Sequence, residues 1–195
     1  MPPSPMRLIQ VALVLLVTAT AAQAAEATLE VPEGPTRLLR SPTVSATSIA
    51  FAYANNIWIV PRAGGEARRL TSFQGQAGNP RFSPDGRWVA FSGEYAGNLD
   101  VWVVSAEGGD PRRLTWHPGA DQVQGWMPDG RSVVFASGRG SWAPGPAPRF
   151  WTVPAAGGPE EPMALPRAFQ GRISPDGARV AYRLNNSWDE ERRNY

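Results

Sequence analysis

Apolar residues along this chain come in short runs of four to six, and each run is closed by turn residues. Trp88-Val89-Ala90-Phe91, Val101-Trp102-Val103-Val104, Ser132-Val133-Val134-Phe135-Ala136 and Phe150-Trp151-Thr152-Val153 are β-branched and aromatic. They are too short for helices, and the apolar spacing of 3.6 residues that an amphipathic helix needs is missing. The pattern therefore predicts strands throughout. It also repeats. Arg81-Phe82-Ser83-Pro84-Asp85-Gly86-Arg87 returns as Gly125-Trp126-Met127-Pro128-Asp129-Gly130-Arg131 and as Arg172-Ile173-Ser174-Pro175-Asp176-Gly177-Ala178. Successive copies lie about 45 residues apart, the period of propeller blades.

A second marker runs out of phase with the first. Each Trp-containing run (around Trp58, Trp102 and Trp151) is followed by a glycine pair: Gly64-Gly65, Gly108-Gly109 and Gly157-Gly158. A third, Arg-Arg-Leu-Thr, occupies 68–71 and 112–115, and Leu165 is taken as its counterpart in the next repeat. Each unit then reads as four strands. Strand A ends at Phe82, Met127 or Ile173, and strand B is 88–92 or 132–136. Strand C is the Trp run, and strand D is the Arg-Arg-Leu-Thr segment. Asp85, Gly86, Asp129, Gly130, Asp176 and Gly177 are assigned to the A–B turns. Proline presets φ there, aspartate accepts local backbone hydrogen bonds, and glycine takes positive φ without steric cost. The first unit lacks Pro-Asp-Gly: its stretch from Pro42 to Phe51 is shorter and has another turn chemistry. The expected fold is all-β: a partial β-propeller of four-stranded antiparallel blades near 41–71, 79–115, 123–165 and 169–195, about three blades and the start of a fourth.

The N-terminus breaks the pattern. Arg7, the apolar stretch from Leu8 to Val17 and the small residues ending in Ala22-Gln23-Ala24 describe a secretory signal peptide over 1–24. A membrane anchor would need about 20 apolar residues. Cleavage after Ala24 would leave a leader at 25–40 and an incomplete propeller over 41–195, exported to the periplasm or secreted, with no membrane attachment after processing.

Composition narrows the function. The 195 residues are 42% hydrophobic and 18% charged, a globular balance. Every one of the 19 basic residues is Arg, scattered among 17 acidic ones for a net charge of +2, so no basic face for nucleic acid is expected. With no Cys and one His, disulfides, thiolate chemistry and the usual zinc sites are excluded, and no metal or other cofactor is expected. His117 would need an activated Ser and a carboxylate for acyl transfer, and no Gly-x-Ser-x-Gly elbow is present. The recurring Asp residues are explained by their turns. Trp58, Trp102 and Trp151 could form a stacking platform, but their repeated position favours packing between blades.

The tight A–B and C–D turns share one face of a propeller, and the longer B–C and D–A loops share the other. Residues 72–78, 94–98, 116–122 and 138–148 lie on that second face. Loops on a rigid scaffold are where binding residues concentrate, so Tyr95, His117, Asp121 and Arg139 are the candidate substrate-binding residues, with no catalytic residue assigned.

These repeats resemble those of TolB-like proteins and of the tricorn-type serine peptidases. Leu38-Leu39-Arg40-Ser41-Pro42-Thr43-Val44-Ser45 resembles the start of a tricorn first propeller. So do Asn56-Ile57-Trp58, the segment from Gly64 to Thr71, and His117-Pro118-Gly119-Ala120-Asp121. That resemblance implies a longer polypeptide in which propellers gate peptide or protein substrates for a PDZ-like module and a C-terminal serine peptidase core. Those modules have no counterpart in these residues, so the chain is expected to be a fragment whose missing parts are its partners. A TolB-like periplasmic scaffold that docks proteins, or a propeller fused to another hydrolase such as an amidohydrolase, are the alternatives.

Overall fold

The computed structural model describes residues 38–72, 74–95, 97–140 and 148–184. The expected signal peptide and most of the expected leader lie outside them, as do residues 141–147 of the long B–C loop.

Fourteen strands among the described residues form three four-stranded antiparallel sheets and one two-stranded sheet, each in sequential order. The first blade holds β1 (Arg40–Val44), β2 (Ser48–Tyr53), β3 (Asn56–Pro61) and β4 (Arg68–Arg69). The second holds β5 (Gln76–Phe82), β6 (Trp88–Glu94), β7 (Asp100–Ser105) and β8 (Arg112–Arg113). The third holds β9 (Asp121–Trp126), β10 (Ser132–Ser137), β11 (Arg149–Pro154) and β12 (Glu161–Pro162). Strands β13 (Ala168–Ile173) and β14 (Val180–Leu184) begin the fourth. This is an all-β partial propeller. Its first strands, β1, β5, β9 and β13, lie side by side along the inner wall.

The alternation of side chains along a strand explains how the blades stack. Val89 and Phe91 of β6 pack toward the first blade, against Ala50, Ala52, Ile57 and Ile59. Ala90, between them, packs toward the third blade with Val101, Val103, Val133 and Phe135. Val134 and Ala136 continue the series toward Phe150 and Ala168. Both faces of an inner blade are thus buried, which is why β6 and β10 read as continuous apolar runs. Phe91, Phe135 and Phe150 are fully buried, and each such ring contributes about 1.5–3 kcal/mol of transfer free energy. Trp58, Trp102 and Trp151 each face a Phe or its neighbour across the B–C pairing: Phe51, Phe91 and Phe135. Trp102 and Trp151 lie against the interblade clusters.

The A–B turns are built as their sequence dictates. In the second blade Gly86 N donates to Ser83 O at 2.8 Å, and Gly86 sits at φ 72°. The Asp85 carboxylate accepts from Ser83 Oγ at 2.6 Å and from Arg87 N at 3.1 Å. Asp129 and Asp176 cap the turns of Gly130 and Gly177 in the same way, through Arg131 N and Ala178 N. The first blade substitutes a hydroxyl: Ser45 Oγ accepts from Ser48 N at 3.0 Å.

In the first two blades strand D ties the blade to itself and to the next. Leu70 N donates to Ile57 O and Leu114 N to Val101 O, while the buried Thr71 and Thr115 hydroxyls accept from Ile57 N and Val101 N, both at 3.0 Å. Arg68 and Arg112 reach the carbonyls of Ala106 and Ala155 on the following blade. In the third blade the residue that donates to the strand C carbonyl is Met163, bonded to Phe150 O at 2.9 Å. The counterpart of Leu70 and Leu114 is therefore Met163 and not Leu165. Glu161-Pro162-Met163-Ala164 replaces Arg-Arg-Leu-Thr, and both the threonine hydroxyl and the interblade arginine are lost there. Likewise strand A of that blade ends at Trp126, paired with Val133, one residue before Met127.

Candidate functional site

The four loop residues singled out for binding all sit at the B–C and D–A end of the blades, but in different surroundings. Tyr95 follows β6 and folds back, packing edge-on against Phe91 and Trp102 with ring centroids 6.2 and 4.9 Å away. Burial pushes its phenol up to about 12, with the Thr71 side chain beside it opposing the rise. Thr71 belongs to the end of the first blade, so Tyr95 links two blades.

Asp121 opens β9. Its amide donates to Leu99 O at 2.7 Å, the same interblade bond that Ala77 makes to Asn55 O and Ala168 to Pro148 O. This repeated bond fixes where each inner strand starts. It also carries the Asp121 side chain between blades, where it is fully buried. Arg139, just past β10, is drawn in to meet it and is itself only 10% exposed. The guanidinium pairs with Asp121 Oδ2, reaches Glu160 Oε1 at 3.2 Å, and lies 5.1 and 5.3 Å from the rings of Phe135 and Trp151. Asp121 and Arg139 neutralise one another, so neither presents a free charge on the loop face.

A second ion pair stands beside the first. Asp100, the first residue of β7, is fully buried and lies 2.7 Å from Arg113 Nη2. Burial pushes the Asp100 carboxyl above the usual carboxylate range. Arg113 and Asn98 oppose that push, and the nearby Asp121 charge adds to it. Asn98 Nδ2 bridges Asp100 Oδ1 and the carbonyl of His117, which anchors the D–A loop to the B–C loop. Sequence reasoning missed Asp100 and assigned Arg113 only to strand D. The available signal was an acidic residue opening a strand whose next four residues, Val101 to Val104, are all apolar.

His117 is half-buried. Its Nδ1 accepts from Gly119 N at 2.9 Å, which places the proton of the neutral ring on Nε2. Beside it Trp116 is 62% exposed, with the Arg113 guanidinium 5.7 Å from its ring centroid. An open aromatic face backed by a cation, next to an imidazole, can stack on a ligand and hydrogen-bond to it. Among the described residues no three His, Asp or Glu converge to hold a metal ion. None of the hydrogen bonds to His117 pairs it with a serine hydroxyl or a carboxylate.

Comparison with known proteins agrees with this architecture. A family model, the tricorn protease N-terminal beta propeller domain, matches residues 36–195. A curated relative, the putative tricorn protease homolog 2 of Streptomyces coelicolor, is 40% identical over 60 residues, which is 30% of this chain and 5% of that protein. TolB from Acinetobacter baumannii has a similar structure, with a TM-score of 0.66 and 25% identity over 77% of this chain and 39% of that one. The crystal structure of the tricorn protease superposes with a TM-score of 0.59 and 24% identity, over 71% of this chain and 14% of that one, and shows the shared fold. The chain thus spans between 5% and 39% of the length of these proteins. On the family match and the blade architecture together, this chain belongs to the tricorn protease N-terminal beta propeller domain family.

Proposed function

We propose that this chain is the substrate-handling propeller of an exported, tricorn-like serine peptidase: it binds or admits peptides and supplies no catalytic group. The family match over residues 36–195 carries this reading. Two features of the site support it. The charged loop residues Asp121 and Arg139 are consumed in an ion pair within the third blade. What the loop face offers is the open Trp116 ring with His117 and Arg113, which suits a peptide backbone and its side chains. The nucleophile, its base and the oxyanion donors would come from a peptidase core, with a PDZ-like module beside it, elsewhere in the protein. Residues 1–24 would direct export and be removed, leaving Ala25 as the first residue of the processed chain.

The test is cross-linking. An unstructured peptide carrying a photoreactive group should label the full chain around Trp116 and His117, and Trp116→Ala should abolish that label. Labelling confined to the opposite face, with its Pro-Asp-Gly turns, would overturn the reading. The TolB superposition favours one rival, a scaffold that docks folded proteins. A folded protein that displaces the peptide stoichiometrically would favour that rival.

A further inference from the structure

The inner wall carries an unbalanced pair of charges. Strand A breaks register once in every blade, between Arg40 and Thr43, Gly78 and Arg81, Val123 and Gly125, and Ala168 and Gln170. Such bulges re-aim the side chains that follow them. Here they bring Arg81 of the second blade and Arg172 of the fourth to the same carbonyl of the third. Arg81 Nε donates to Gln124 O at 3.3 Å and Arg172 Nη1 donates to it at 2.8 Å. Their other bonds are to Pro80 O and Gly171 O, both neutral. Arg81 Nη2 and Arg172 Nε and Nη2 have no hydrogen-bond partner among the described residues. No carboxylate among those residues lies within ion-pair distance of either guanidinium.

The cost of this arrangement is visible. Burial, with the Arg172 charge adding to it, pulls the Arg81 guanidinium down to about 10. Two cations held on one neutral oxygen, with donors to spare, match the fork that a carboxylate or phosphate accepts.

The surroundings choose between those anions. Both arginines line a cavity of about 430 Å³ whose other walls include Trp126, Val134, Phe150 and Ile173. Trp126 is held there by its indole N–H, which donates to Arg81 O at 2.9 Å. Gly125 also lines the cavity, and a Cβ placed on it meets no atom within 4 Å. We infer that Arg81 and Arg172 form a binding site on the inner wall for a carboxylate that carries an apolar group. The two guanidiniums take the carboxylate, and the cavity beside Trp126 and Phe150 takes the apolar group. This deepens the substrate-handling reading by naming the chemistry that the wall grips. It lies apart from the Trp116 face, so either can fail without the other.

The experiment is calorimetric titration of the full chain at low salt with 3-phenylpropionate, 3-phenylpropionamide and inorganic phosphate. The acid should bind saturably, with the amide at least about tenfold weaker because the charge-assisted bonds are lost. Arg172 is exposed, so Arg172→Gln should leave the fold intact, checked by circular dichroism, and weaken the acid about tenfold. Gly125→Val should fill the cavity and weaken the acid while leaving phosphate unaffected. Equal binding of acid and amide, or an unchanged Arg172→Gln, overturns the site. Phosphate binding as tightly as the acid, with Gly125→Val silent toward both, would leave a bare anion site and overturn the apolar half.

Discussion

Replacing Arg139 with methionine should be among the most damaging single changes in the described part of the chain. Asp121 is fully buried, and its Oδ1 has no hydrogen-bond partner. Its charge is balanced by Arg139, while the neighbouring Asp100 repels it. Removing one member of a buried pair strands the other and costs about 3–5 kcal/mol. The guanidinium also lies over Phe135 and Trp151, contacts worth about 0.5–2 kcal/mol. The flexible methionine stem recovers part of that packing, so a net loss of about 4 kcal/mol is expected. Urea unfolding followed by tryptophan fluorescence reads it directly. At a slope of about 2 kcal/mol/M the midpoint should fall by about 2 M. Asp121→Leu combined with Arg139→Met should recover most of the loss, because an apolar replacement of a buried pair is close to neutral. The two single losses should therefore be strongly non-additive, the double-mutant loss falling well below their sum. A single-mutant loss below about 1 kcal/mol, the value of a solvated pair, would refute the argument that this contact is structural.

Three further outcomes follow from the same physics. The Asp85 carboxyl is held down at about 2, first by the Ser83 hydroxyl and then by Arg87. Its contribution to stability should be complete above the ordinary value of 3.8 and be lost as pH falls toward about 2. Carbon-detected NMR titration should show that midpoint, and Asp85→Asn should remove that part of the acid dependence. Thr115→Val should strand the buried amide of Val101 and cost about 1–3 kcal/mol, with faster exchange of the Val101 amide than in the parent. Gly171→Ala would place a Cβ 2.6 Å from the Phe150 ring and 3.0 Å from Ala181 O. The inner strand must shift, so thermal unfolding should report a loss of about 1–3 kcal/mol.

Local chemistry carried most of the fold. Pro-Asp-Gly and the glycine pairs specify turns by φ alone, and their spacing gives the blades before any tertiary contact is known. The errors fell where the local signal fades. Glu161-Pro162-Met163-Ala164 keeps the hydrogen-bond register of Arg-Arg-Leu-Thr but not its letters, so Leu165 looked the better match. Asp121 and Arg139 were legible as charged residues at loop positions, where solvation is the ordinary expectation. Only the interblade bond from Asp121 N to Leu99 O shows that this position points between sheets. The Arg81 and Arg172 pair was hidden for another reason. The two residues come from different blades and meet through bulges, a backbone feature that no residue type announces. By contrast His117 and Trp116, adjacent in sequence, stay together on the loop face.

Fluorescence anisotropy of a labelled, unstructured peptide with the purified full chain, combined with mass spectrometry of the same mixture, tests the central claim most directly. The account predicts saturable binding that weakens in Trp116→Ala, with the peptide recovered intact. Peptide cleavage that survives purification to homogeneity, or no binding at any concentration tried, would contradict it.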